Sequence, residues 1–132
     1  MDSAPAPGTE SARPFLPARD FVTSKKFYDA LGFVKVLDSD DVAIYRAGSA
    51  SFLLQNHYQK EWAENFMMQL MVDDLDAWWQ HIVSIDLPGR FGTAPPKPPT
   101  MQPWGLRIAY VVDPSGVLWH MAQRRPAVSH DL

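Results

Sequence analysis

Cysteine is absent from the 132-residue chain, which excludes disulfides, thiolate metal sites and a thiol nucleophile. No apolar run approaches the roughly 18 residues of a membrane span, so no membrane partner is expected. The opening MDSAPAPGTES has neither a basic region nor an apolar core, which argues against a secretory signal and for a cytoplasmic location. Basic residues are few and scattered as singles or pairs (Lys25-Lys26, Arg124-Arg125) at a net charge of −3. Without a positive stripe to displace counterions, nucleic acid is not an expected partner. A phosphate-cradling glycine loop and a Gly-x-Ser-x-Gly elbow are also missing. What is present is 46% hydrophobic residues against 20% charged, too apolar for disorder and enough for one self-sufficient domain. Five tryptophans favour an apolar small-molecule pocket or a protein interface.

Residues 101–122, MQPWGLRIAYVVDPSGVLWHMA, read as a strand, an Asp113-Pro114-Ser115-Gly116 turn and a second strand bearing His120. Pairing directly across that turn sets His120, Leu118 and Ala109 on one face and Trp119, Tyr110 and Met121 on the other. Trp119 and Tyr110 then belong to the core under the helices; a bulge at Gly116 would change the pairing. A helix is expected from Phe21 to Leu31, capped by Asp20 and stopped by Gly32, and another from Leu75 to Ile85 behind Asp74. Strands are expected near 14–18, 34–38, 42–46, 51–56, 66–72, 106–112 and 117–122, with a proline-limited edge strand around 97–102.

These elements suggest a duplication. A shift of 65 carries Tyr45 onto Tyr110 and Gln55 onto His120; a shift of 54 carries Asp20 onto Asp74. The difference falls in the proline-dense stretch Pro88–Pro103. The organisation is therefore a tail over 1–12, a domain over 13–124 made of modules at about 13–57 and 66–124, and a tail over 125–132.

PFLPARDFVTSKKFYDALGF resembles the first strand and helix of the glyoxalase / bleomycin-resistance / extradiol-dioxygenase superfamily, also called vicinal oxygen chelate proteins. LMVDDLDAWW resembles the opening of its second module, and QPWG followed by DPSGVLWHM resembles the end of the bleomycin-resistance branch. The resemblance implies an α+β fold of two βαβββ modules whose mixed sheets curl around a cavity, with helices outside. It also implies a homodimer in many members. Enzymatic members hold a divalent metal with His, Glu or Gln from each of four strands; metal-free members bind an aromatic, often cationic antibiotic.

The four implied positions fall near Arg13, at Gln55, near Met67 and on His120. An arginine repels a cation and a thioether is a poor ligand for hard divalent ions, which leaves His120 and Gln55 as metal candidates. Gln69, two residues along the same strand face, and His57 are further candidates. No cofactor is expected, with a divalent metal as the alternative.

His120 reads equally as pocket lining or as a core histidine. Trp78 and Trp79 sit on the second helix, one inward and one partly exposed. Trp62 and Trp104 fall in loops, where a tryptophan is either a plug on the core or a platform for a planar ligand. Asp74 reads as a helix cap and Asp38–Asp41 as a turn; Glu61 and Glu64 could attract a cationic ligand. The expected function is sequestration of a planar aromatic small molecule without turnover. Trp62 and Trp104 would stack on it, Met67, Met71 and Leu118 would line the site, and His120, Gln55 and Gln69 would orient it. The alternatives are a metal-dependent lyase, isomerase or dioxygenase, and a dimeric scaffold with no small ligand.

Overall fold

The computed structural model of the protein describes residues 6–124. The tail over 125–132 and the first five residues of the tail over 1–12 lie outside the described residues. The chain runs β1 (Phe15–Pro17), α1 (Phe21–Leu31), β2 (Val34–Asp38), β3 (Val42–Ala47) and β4 (Ala50–Gln55). It continues through α2 (Lys60–Glu64), β5 (Met67–Met71), α3 (Leu75–Ser84), α4 (Leu87–Phe91), β6 (Lys97–Met101), β7 (Leu106–Val112) and β8 (Leu118–Arg124). Two mixed four-stranded sheets result, ordered β1-β4-β3-β2 and β5-β8-β7-β6, with the helices outside and no closed barrel. The first sheet is one βαβββ run, and the second repeats that order with the short α4 added after α3. Among the described residues no helix is long and apolar enough to cross a membrane.

Both long helices begin where their caps require. The Asp20 carboxylate accepts the Thr23 N–H at 3.1 Å, and Asp74 accepts that of Ala77 at 3.0 Å. Gly32 ends α1 in the left-handed region at φ 101°, which a side chain would resist. Two single-turn helices, α2 and α4, are additional to the expected elements. One turn shows too little periodicity to register, and Pro88 is compatible with the first turn of α4. Trp62 accordingly sits on α2 and not in a loop.

The β7–β8 hairpin departs from the expected register by one residue. Tyr110 pairs with His120, Val111 with Trp119 and Val112 with Leu118, whereas direct pairing across a two-residue turn would oppose Ala109 to His120. The connection has three residues. Gly116 N–H bonds the Asp113 carbonyl at 3.1 Å, Asp113 N–H bonds the Val117 carbonyl at 2.9 Å, and Gly116 bulges at φ 103°. Because strand side chains alternate, that extra residue moves Tyr110 to the face of His120, and Ala109 to the face of Trp119. Tyr45 is fully buried beside Phe52, so its correspondence with Tyr110 fails, while that of Gln55 with His120 holds.

One hydrophobic core joins the two sheets. Phe27, Tyr28 and Leu31 of α1, Phe33, Tyr45 and Phe52 near the first sheet, and Trp119 and Met121 of the second belong to a single cluster. The Trp119 ring centroid lies 5.3 Å from that of Phe33 and 5.4 Å from that of Phe52, both in angled contacts that favour aromatic pairs. Packing Trp119 inward therefore commits its neighbours Leu118 and His120 to the other side of the sheet.

Candidate functional site

The face of the second sheet turned away from this core gathers five of the expected site residues. Along β8, Trp119 and Met121 are buried while Leu118 and His120 are half-buried on the opposite side. The adjacent parallel strand β5 sets Met67 against Leu118, Gln69 against His120 and Met71 against Ala122. Met67 is 64% exposed and Met71 39%, an apolar surface that soluble proteins rarely leave uncovered without use. The floor is pliable because thioether side chains adapt to irregular shapes. Gln69 and Met71 also line a cleft of about 510 Å³ with Phe33, Val34, Arg46 and Trp78.

His120 is the polar centre of this face. The edge of one ring meets the other where Tyr110 and His120 approach, at 4.8 Å between centroids. Burial lowers the His120 pKa from its ordinary 6.5, which favours the neutral imidazole at pH 7. Its Nε2 is buried and has no hydrogen-bond partner within the described residues, a state shared there only by the Thr93 hydroxyl. An unpartnered buried ring nitrogen costs folding free energy and is available to a ligand group that can complete it.

The other three expected residues lie elsewhere. Gln55 ends β4 on the first sheet, beside Val42 and Pro17, facing away from the buried Leu54. Trp62 is half-buried on α2, its ring 6.4 Å from His57 and 6.5 Å from Phe66. Trp104 stands in the β6–β7 turn, 64% exposed.

The register also redefines the donor set a metal would meet. Gln69, rather than Met67, is the β5 neighbour of His120, and Pro17, rather than Arg13, is the β1 neighbour of Gln55. Proline has no side-chain donor, so the four positions supply one imidazole and two amides on two sheets. Among the described residues no three His, Asp or Glu side chains are grouped to hold an ion. This donor set does not fit a catalytic divalent metal.

Tyr110, Arg46 and Trp78 are site-lining residues that sequence reasoning assigned elsewhere or passed over. The signal for Tyr110 is the Gly116 bulge. For Arg46 and Trp78 there is no local signal, because their cleft forms between segments far apart in the chain.

No family model matches the chain. Over 117 residues it is 31% identical to the bleomycin resistance protein of Klebsiella pneumoniae, covering 87% of this chain and 93% of that protein. The chain belongs to the bleomycin resistance protein family. Among solved structures, this bleomycin resistance family member is similar to a bleomycin-binding protein complexed with bleomycin, at 30% identity. The match has a TM-score of 0.74 and covers 89% of this chain and all of that one. The copper(II)-bleomycin complex of the bleomycin-binding protein from Streptomyces verticillus matches at 25% identity and TM-score 0.72, covering 91% and 98%. A glyoxalase / bleomycin resistance protein / dioxygenase from Nocardioides shares the fold at 14% identity and TM-score 0.69, covering 96% and 91%.

Proposed function

We propose that this protein sequesters bleomycin or a related planar aromatic ligand by stoichiometric binding, without metal and without turnover. The observation that carries the reading is the open face of the second sheet: exposed Met67 and Met71 beside half-buried Leu118, with Gln69 and the unpartnered His120 Nε2 at its centre. An apolar floor with few polar groups suits binding and orientation, and holds no nucleophile or paired acid and base. Met67, Met71 and Leu118 line the ligand, Gln69 and His120 orient it, and the exposed Trp104 stacks on it. The 30%-identical relative bound to bleomycin supports the ligand class.

Gln55 and Trp62 join the site through a second copy of the chain. The shared core packs the inner faces of both sheets within one chain, so the face bearing Gln55 and the face bearing His120 each lack a cover. Phe15, Val34 and Leu37 expose 44–51% of their surface on and beside the first sheet, the apolar counterpart to the methionines of the second. A homodimer that apposes the first sheet of one copy to the second sheet of the other covers both and closes two equivalent crevices.

Tryptophan fluorescence titration with metal-free bleomycin tests the reading. Quenching that saturates at one ligand per chain, persists at high salt and leaves the ligand chemically unchanged is expected. Absence of saturable quenching, or metal-dependent consumption of the ligand, refutes it.

A further inference from the structure

We infer that Asp113 is a positioning residue for the ligand face: its carboxylate fixes the three-residue β7–β8 loop and thereby selects Tyr110, not Ala109, as the flank of His120. The ligand consequence rests on the function proposed above.

The loop carries a hydrogen-bond problem that only a side chain solves. The Gly116 N–H occupies the Asp113 carbonyl, the acceptor that the Val117 N–H would meet in an unbroken ladder, so the N–H of the fully buried Val117 needs another partner. Asp113 Oδ1 accepts that N–H at 2.9 Å and the Ser115 N–H at 2.8 Å. Without the carboxylate, the three-residue loop leaves a buried donor unpaired, and the preference for this register over its neighbours is lost. Asp113 is 2% exposed and its second oxygen accepts the Tyr28 O–H at 2.5 Å, which anchors the loop to α1. The Ser115 hydroxyl accepts the Arg19 N–H at 2.9 Å, a second anchor from the same side.

The register matters at the site because period-two alternation makes the choice all or none. In the observed pairing the Tyr110 ring covers His120 at 4.8 Å and shields its imidazole. In the slipped pairing Ala109 would stand there, opening the floor beside His120 and driving Tyr110 against the core around Trp119.

The test is the ring-to-ring nuclear Overhauser contact between Tyr110 and His120 in the full chain without ligand, read alongside bleomycin affinity. Wild type and Asp113→Asn, whose amide oxygen keeps both loop bonds, should show the contact and bind within about threefold of each other. Asp113→Ala should lose the contact and bind about tenfold or more weakly. Retention of both by Asp113→Ala overturns the inference. If that variant does not fold, Asp113→Thr decides: a weakened contact with reduced affinity supports the inference, and wild-type values for both overturn it. Failure of wild type to bind bleomycin would sink the proposed function alone, because the ring contact still judges the register.

Discussion

Removal of one oxygen atom from Tyr28 should have an effect disproportionate to its size. The hydroxyl is fully buried, donates to Asp113 Oδ2 at 2.5 Å and accepts the Trp119 indole N–H at 3.0 Å. Burial and the Asp113 charge both hold the phenol pKa well above its ordinary value, so it stays a donor over the working pH range. Tyr28→Phe leaves the shape of the aromatic core intact but strands a carboxylate oxygen and an indole N–H. A buried group left unpaired costs about 1–3 kcal/mol, so the pair should cost about 3 kcal/mol in all. At this chain length that lowers Tm by roughly 12 °C, intermediate between small and large domains. Urea denaturation should move to a lower midpoint with an unchanged slope, because the same surface is exposed on unfolding. Since the bond joins the helix of the first βαβββ run to the hairpin of the second, unfolding should remain one transition. A loss below about 0.5 kcal/mol would refute the account of the buried network.

Trp104→Ala should leave thermal stability within about 0.5 kcal/mol of wild type while weakening bleomycin binding roughly fivefold, read by calorimetry. Met67→Lys, at a 64%-exposed position, should fold normally yet shift the protein towards monomer in sedimentation and abolish saturable binding. Protonation of His120 puts a charge on the apolar floor; its lowered pKa means that affinity should be flat above about pH 6.5 and fall only in more acidic buffer, a fall absent in His120→Ala. Burial raises the Asp113 pKa above 3.8, so the folded state retains a proton that the unfolded state releases. Its contribution to stability is therefore lost as pH rises from 3.8 through the raised value, and the Asp113→Asn difference in urea midpoint should change in that window.

Long periodic elements were legible in the sequence. The α1 bounds follow from Asp20 and Gly32, and the α3 start from Asp74, because caps act within one turn of the chain. The proline-limited strand over 97–101 was legible as an edge because Pro98 and Pro99 cannot serve an interior ladder. What escaped depends on contacts distant in sequence or on a single residue of loop length. The face of Tyr110 is not legible because Asp-Pro-Ser-Gly is compatible with two- and three-residue connections, and the deciding bonds come partly from the Asp113 side chain. Gln69 proved to be the neighbour of His120 because parallel register between β5 and β8 is set by the whole sheet and not by a turn. Trp62 lies on a helix that the sequence does not signal, because five residues show less than two turns of pattern. The tryptophan of β8 was legible as core, since Trp119 sits between two residues that must face the other way.

Calorimetric titration of the purified protein with metal-free bleomycin, in the presence of a chelator, tests the central claim most directly. The account predicts one ligand per chain, an affinity unchanged by the chelator, and intact ligand recovered from the complex. Binding that requires added divalent metal, or a ligand recovered in altered form, would contradict it.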